Sequence, residues 1–313
     1  MVDSQQEHKV DYSVVIPVYN GAHSLKELCE RIVAYFEGTS YSWEIIFVDD
    51  RSIDNSWDEI LKLKEKFTSK VSGLRLSRNF GQHNAICSGF KAAHGKFIIT
   101  IDDDIENDPR DIEKLIEGQK KGAKLVYGIS KNKEKAFFRS LFKSIYKLIA
   151  KAIEGKSRVN GASFRLLTSE LAKKVENNAT HFIFIDEACL WYTEEIEYVN
   201  VTHLKSKRGK SNYSLFGLFK LTGEVVLYSS ILPLKLVKYL GFSVATINLI
   251  LGVYYLIKKF AFGFAIPGFA SIIISILFST GMIMFTLGLV GEYLAKMYRI
   301  MNNRPVYSVD EEI

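Results

Sequence analysis

The run Phe97-Ile98-Ile99-Thr100-Ile101 leads directly into Asp102-Asp103-Asp104 and then Ile105-Glu106-Asn107-Asp108-Pro109. Carboxylates crowded at one point repel one another unless a cation or solvent compensates. On an extended chain Asp102 and Asp104 share a face and Asp103 points away. A hard divalent ion such as Mg²⁺, held by one or two carboxylates plus the phosphates of a substrate, suits that pair. Its chemical use is to neutralise charge developing on a leaving diphosphate. Alone, the three aspartates fit a solvated turn equally well. What favours the metal is the company of three other polar clusters: Pro17-Val18-Tyr19-Asn20, Asp49-Asp50-Arg51-Ser52 and Arg78-Asn79-Phe80-Gly81-Gln82.

Each cluster follows an apolar run rich in β-formers. Such runs recur at Tyr12–Pro17, Glu44–Val48, Gly73–Leu76, Phe97–Ile101 and Lys124–Tyr127, and helical patterns fill the gaps at Ser24–Tyr35, Asn55–Phe67, Asn84–His94 and Asp111–Lys120. Asp54 is placed to cap the second helix. Alternation of this kind predicts an α/β domain with a mostly parallel sheet and helices on both faces, whose ligands bind beyond the carboxyl ends of the strands. No GxGxxG or GxxxxGK[ST] loop follows the first strand, so a dinucleotide or P-loop fold lacks its main support.

The chain is 313 residues long, 48% hydrophobic and 24% charged, with a net charge of +6. Those averages hide a split. From Tyr239 to Gly291 the only charged side chains are Lys258 and Lys259, leaving uncharged runs of 19 residues (to Ile257) and 32 residues (from Phe260). A helix needs about 20 apolar residues to span a bilayer. A hairpin of two transmembrane helices, at about 238–257 and 269–291, is therefore expected, with the break at Gly263, Pro267 and Gly268. Lys235 and Lys238 before it and Lys296, Arg299 and Arg304 after it predict that both flanks face the cytoplasm. Lys133 to Lys151 sets Phe137, Phe138, Leu141, Phe142 and Ile145 among Lys135, Arg139, Lys143 and Lys147, a basic amphipathic pattern suited to anionic headgroups. The expected layout is a cytoplasmic domain over 1–212, an amphipathic interface segment over 213–235, the hairpin over 236–295 and a cytoplasmic tail over 296–313. Cys29, Cys87 and Cys189 have no paired spacing, which fits buried thiols in a reducing compartment.

The segments VVIPVYNGAHSL, EIIFVDDRSIDNSW, LSRNFGQHNAICSGFKAAHG, IDDDIENDP, SFRLL and RGKSNY, in this order and followed by a membrane hairpin, resemble a family two glycosyltransferase. The likeness is greatest to the dolichol-phosphate mannose synthase and bactoprenol glucosyltransferase group. It implies a GT-A-type domain. Carried over, it implies that Pro17, Tyr19 and Asp50 contact the base and ribose of a nucleotide, that Asp102 lies near ribose and metal, and that Asp104 is the main ligand of Mg²⁺ or Mn²⁺. Glu106 falls where some relatives place a Gln that reaches the metal. Arg208 and Lys210 resemble a basic loop that closes over the sugar diphosphate or a lipid phosphate, with Ser211 donating beside them.

Two departures bear on mechanism. Gly21 stands where the family often has Glu, and Ser163 where some bactoprenol glucosyltransferases have an Asp thought to act as base. Asp186 and Glu187 are the nearest acidic substitutes. A polyprenyl phosphate acceptor has a second pKa near about 6, so its oxygen is mostly ionised at neutral pH and no proton need leave. The demand shifts to cations that hold an anionic nucleophile against an anionic donor, for which Lys131, Arg139, Arg165, Arg208 and Lys210 are the candidates.

The expected activity is inverting transfer of a hexose-type sugar from a nucleotide-diphosphate sugar, UDP favoured over GDP, to a polyprenyl phosphate in the membrane. The resemblance also implies a homo-oligomer, and the positive charge calls for no nucleic acid. Two other functions fit the same motifs: extension of a hydroxyl acceptor on a lipid-linked or cell-surface glycan, where Asp186 or Glu187 would be essential, and a non-catalytic membrane scaffold.

Overall fold

A computed structural model describes residues 10–130, 162–179, 185–204, 232–262, 268–301 and 305–313. They fall into two compact units, one holding residues up to 204 together with 305–313, the other holding 232–301.

The first unit is built on an eight-stranded sheet. In chain order its elements are β1 (Val10–Val18), α1 (Ala22–Glu37), β2 (Trp43–Asp49), α2 (Ser56–Lys66), β3 (Val71–Leu76), α3 (Gln82–Ala92), β4 (Gly95–Thr100), a 3₁₀ turn (Pro109–Asp111), α4 (Ile112–Lys120) and β5 (Leu125–Ile129). After these come β6 (Arg165–Thr168), α5 (Ser169–Asn177), α6 (Ile185–Tyr192) and β7 (Ile196–Asn200), and β8 (Val309–Glu312) is added from the far end of the chain. The strand order is β7-β5-β6-β4-β1-β2-β3-β8. β1, β2, β3 and β4 run parallel, as do β5 and β7, while β6 and β8 run antiparallel to their neighbours. The end of the segment expected as a cytoplasmic tail thus supplies an edge strand.

Both faces of the sheet are covered, as continuous apolar strands require. Alternate residues of β1 divide between them. Val14 and Ile16 join Leu25, Leu28, Ile32 and Phe36 of α1 and Ile112 and Leu115 of α4, and Val15 joins Ile86 and Phe90 of α3 and Leu171 and Val175 of α5. The helices obey the same logic. α1 buries Leu25, Leu28, Cys29, Ile32 and Phe36, one stripe at helical spacing. α2 carries Asp58 and Glu59 in its first turn and Lys64 and Lys66 in its last, in accord with its dipole. Asp54 accepts the Ser56 N–H at 3.1 Å, beside the helix start. All three cysteines are free and buried, and burial pushes their thiols up to about 12, which leaves them inert packing groups.

The second unit contains α7 (Leu232–Phe262), 31 residues, and α8 (Phe269–Met301), 33 residues. At 1.5 Å per residue these span about 46 and 50 Å. Both helices run beyond the stretches expected at 238–257 and 269–291. Among the described residues one stretch, Phe278–Ala295 of α8, is long and apolar enough to cross a membrane, and Phe278, Ile283, Met284, Phe285 and Leu287 are exposed on it.

Candidate functional site

The loops that follow β1, β2, β3 and β4 are joined by polar contacts that cross from one loop to the next. Pro17 is buried near the end of β1, while the Tyr19 ring is 45% exposed beyond it. The β1 and β2 loops are zipped together. Ser52 Oγ accepts the Asn20 N–H at 2.9 Å, Asn20 Oδ1 accepts the Ile53 N–H at 3.0 Å, and Ser56 Oγ accepts the Gly21 N–H at 3.0 Å. Ser56 so satisfies a backbone donor at the start of α1, one of the groups a helix N-terminus leaves open.

Asp50, at the end of β2, grips the loop after β3. Its two carboxylate oxygens accept the Phe80 N–H at 2.7 Å and the Gly81 N–H at 2.8 Å. Gly81 holds φ at 91°, a left-handed conformation that glycine adopts without a Cβ clash, and it leads straight into α3. Burial pushes the Asp50 carboxyl up to about 6, with the two N–H bonds working in the opposite direction.

The carboxylates after β4 have distinct surroundings. Asp102 Oδ1 accepts from Gln82 Nε2 at 2.6 Å and Oδ2 from the Ser163 hydroxyl at 2.5 Å. Burial raises its pKa, opposed by the Ser163 bond, with the neighbouring Asp104 raising it further. Asp103 turns away from them and is buried, its Oδ2 accepting the Tyr19 N–H at 3.3 Å, so it ties the β4 loop to the β1 loop. Asp104 Oδ1 accepts the Glu106 N–H at 3.0 Å across Ile105, which is left-handed at φ 58°. The Glu106 carbonyl accepts the Leu204 N–H at 2.8 Å, and its carboxylate lies 3.6 Å from His203 Nε2. The chain therefore enters the segment containing Arg208, Lys210 and Ser211 from beside the acidic loop. Those three residues, with Lys131, Arg139 and the 133–151 and 213–231 segments, lie outside the described residues.

Behind this surface runs a polar network that the sequence motifs do not announce. Arg165, the first residue of β6, is 1% exposed. Its Nε donates to Thr100 Oγ1 at 3.1 Å and its Nη1 to Asp186 Oδ1 of α6, which also accepts the Tyr127 hydroxyl at 2.9 Å. Thr100 in turn donates to the Ser163 carbonyl at 2.5 Å, the residue whose hydroxyl holds Asp102. The expected phosphate-binding cation Arg165 is thus an interior group paired with the expected base Asp186, because a guanidinium at the start of an inner strand needs a counter-charge. Glu187, one residue on, is half-buried. His83, the second residue of α3, is half-buried, and burial and the nearby Arg165 lower its pKa to about 4, so it is neutral at pH 7. Gln82, Thr100, Tyr127 and Ser163 are the supporting residues to which the sequence reading gave no such role. Gln82 stood in a polar cluster and Ser163 at a departure from the family pattern, and Thr100, a lone hydroxyl in an apolar strand ahead of three aspartates, carried a signal of its own.

A model of glycosyl transferase family 2 matches residues 13–177, more than half of the chain. The chain belongs to glycosyl transferase family 2. It is 30% identical over 322 residues to the undecaprenyl-phosphate 4-deoxy-4-formamido-L-arabinose transferase of Salmonella enteritidis PT4, a match covering 100% of this chain and 96% of that one. It is 27% identical over 304 residues to sll0501 of Synechocystis, an uncharacterized glycosyltransferase, covering 96% and 95%. In fold it is similar to glucosyl-3-phosphoglycerate synthase from Mycobacterium tuberculosis solved with UDP, at a TM-score of 0.51 and 16% identity, covering 70% of this chain and 78% of that one. The same synthase solved with Mn²⁺ and UDP-glucose gives a TM-score of 0.50. The first unit accordingly has the GT-A-like α/β fold with a mostly parallel sheet, and the protein is a glycosyltransferase.

In this family 2 glycosyltransferase, no three His, Cys, Asp or Glu side chains among the described residues converge to enclose a cation. Asp102 already accepts two side-chain hydrogen bonds, and Asp104 sits in the loop beside it. An open acidic set of this kind fits an ion that takes its remaining ligands from a diphosphate and water.

Two outcomes follow from these contacts. Asp186→Asn leaves the Arg165 guanidinium buried without its counter-charge. Since Asp186 is a third exposed, the loss of stability is expected at about 2–3 kcal/mol, against about 1 kcal/mol for Tyr127→Phe, read as thermal midpoints of the purified protein. For Asp50, the folded value of about 6 lies above the ordinary 3.8. The folded state then holds the proton more tightly, so the contribution of Asp50 to stability is greatest below the lower value and falls as pH rises through the upper one. The midpoint of the wild type relative to Asp50→Asn should fall between pH 4 and 7; a difference independent of pH would contradict the assignment.

Proposed function

We propose that this glycosyltransferase is a membrane-anchored, inverting enzyme that moves a hexose-type sugar from a nucleotide-diphosphate sugar to a polyprenyl phosphate. The observation that carries the proposal is the cross-linked arrangement of Asp50, Asp102 and Asp104 at the strand ends in a chain that also holds a bilayer-length apolar helix. A long prenyl chain stays in the bilayer, so a cytoplasmic active site must be brought to it. The relative that the match covers end to end is itself named as an undecaprenyl-phosphate transferase.

In this proposal the nucleotide lies over the ends of β1 and β2, with Tyr19 exposed to stack or pack against it and Asp50 ionised above about pH 6. UDP is favoured over GDP. Asp104, with Asp102 and Glu106 beside it, would hold Mg²⁺ or Mn²⁺, which when bound neutralises charge on the departing diphosphate. Gln82 and Ser163 fix the orientation of the Asp102 carboxylate. Arg208, Lys210 and Ser211, in the segment that the chain enters beside Glu106, would close over the two phosphorylated substrates, together with Lys131 and Arg139. The acceptor phosphate attacks the anomeric carbon from the face opposite the leaving diphosphate, which inverts configuration. The engagement of Asp186 by Arg165 and Tyr127 favours an acceptor that needs no general base. It also weighs against a hydroxyl acceptor.

The test is a screen of radiolabelled nucleotide sugars against membranes containing polyprenyl phosphate, with Mg²⁺ or Mn²⁺ supplied. A lipid-linked sugar released by mild acid is the expected product. Transfer to a glycan hydroxyl, or no transfer from any donor, would overturn the proposal. Asp104→Asn should lower kcat by about 10²- to 10³-fold with the thermal midpoint kept, separating it from Asp186→Asn, whose loss should track stability.

A further inference from the structure

β8 is more than a cover for the sheet edge. It pairs antiparallel with β3 through Arg75 opposite Glu311 and Leu74 opposite Glu312, but the register shifts so that Leu76 faces Val309. Asp310 is the extra residue of that bulge, and a bulge re-aims the side chain it carries. Asp310 Oδ2 accepts from Arg51 Nη1 at 2.6 Å. Arg51 follows Asp50 directly and holds φ at 58°, a conformation that costs a non-glycine residue energy and must be imposed by its surroundings.

The next residue of β8 reaches the same loop by a second route. Glu311 accepts from Arg75 Nη1 at 2.9 Å and from Trp57 Nε1 at 3.2 Å. Arg75 Nε in turn lies 3.4 Å from Oδ2 of Asp49, which is wholly buried and whose Oδ1 accepts the Ser52 N–H at 3.0 Å. Asp49, Arg51, Ser52 and Trp57 flank Asp50 or carry the turn into α2. Ile313 anchors the strand. A Cβ at Gly73 would collide with Ile60 and press tightly on Ile313, and the backbones of Gly73 and Ile313 exchange hydrogen bonds at 3.0 and 3.2 Å.

We propose that Asp310 and Glu311 are positioning residues of the donor site, holding the loop 49–56 in the conformation that presents Asp50 to the nucleotide. The inference rests on the donor role given to Asp50 above. An edge strand that merely closed the sheet would need neither the Asp310 carboxylate on Arg51 nor the Glu311 carboxylate on the Arg75 that faces Asp49.

The experiment uses the full chain in detergent or nanodiscs and measures UDP and GDP binding with Mn²⁺ present, donor KM and kcat, and backbone hydrogen exchange. Each of Asp310→Asn and Glu311→Gln should weaken nucleotide binding about two- to fivefold, and the pair about tenfold. Donor KM should rise in step, kcat should stay within about twofold, and faster exchange should be confined to residues 49–56. Asp310→Glu, which keeps the charge, should restore binding. Unchanged affinity and exchange in the double variant would overturn the proposal, as would faster exchange spread evenly along β3, the mark of a purely structural strand. A wild-type protein that binds neither nucleotide would instead bring down the donor reading and the positioning role with it; binding by the wild type with unaltered variants would bring down the positioning role alone.

Discussion

Five aspartates stand at the carboxyl ends of β2 and β4, the two strands on either side of β1, and like charges so placed need donors to remain there. The structure supplies them, for Asp49 and Asp104 from their own loops and for the other three from other segments of the chain. Asp49 takes the Ser52 N–H, Asp50 those of Phe80 and Gly81, Asp102 the Gln82 amide and Ser163 hydroxyl, Asp103 the Tyr19 N–H, and Asp104 the Glu106 N–H. Every one of these bonds also fixes a loop. The acidic character of the site and the shape of its loops therefore come from the same contacts, and a substitution that removes a carboxylate also loosens the backbone it holds.

The same economy extends beneath the surface. Arg165 needs Asp186 as its buried counter-charge, and through Thr100 and Ser163 their pair connects to Asp102, beside the proposed metal ligand Asp104. A buried ion pair is weak as a source of stability, since its desolvation cost rivals its attraction, but it enforces one arrangement strongly because breaking it strands a charge. That asymmetry suits a site that must be rigid before its substrates arrive. In the proposed transfer to a polyprenyl phosphate, an acceptor already ionised at neutral pH would need orientation and counter-charge rather than a protein base.

Much of this was legible in the chain. The strands expected at Tyr12–Pro17, Glu44–Val48 and Lys124–Tyr127 correspond to Val10–Val18, Trp43–Asp49 and Leu125–Ile129, and the helix expected at Ser24–Tyr35 to Ala22–Glu37. The expectation that Asp103 turns away from Asp102 and Asp104 follows from strand geometry and is met by its bond to Tyr19. Arg165 is the instructive difference. As a cation near an acidic motif it read as a phosphate ligand, but the partner that claims it, Asp186, lies 21 residues away and on another element. Nothing local to the SFRLL segment records that pairing. β8 is a second case, since VDEE has none of the apolar alternation of a strand. It is recruited by an open sheet edge and by Arg51, Arg75 and Trp57, all more than 230 residues earlier.

By itself the sequence determined the period of each element, the order of βα units, the placement of polar clusters at strand ends and the existence of a long apolar segment. These depend on side-chain types at spacings of two to four residues, or on a composition that persists over twenty. Only the tertiary structure decided which polar groups satisfy one another: Asp50 with the β3 loop, Asp102 with Gln82 and Ser163, Arg165 with Asp186, and Asp310 with Arg51. Partners of buried or crowded charges are chosen by proximity after the sheet has formed, and hydrogen-bond geometry over a few ångströms leaves no periodic trace in the chain.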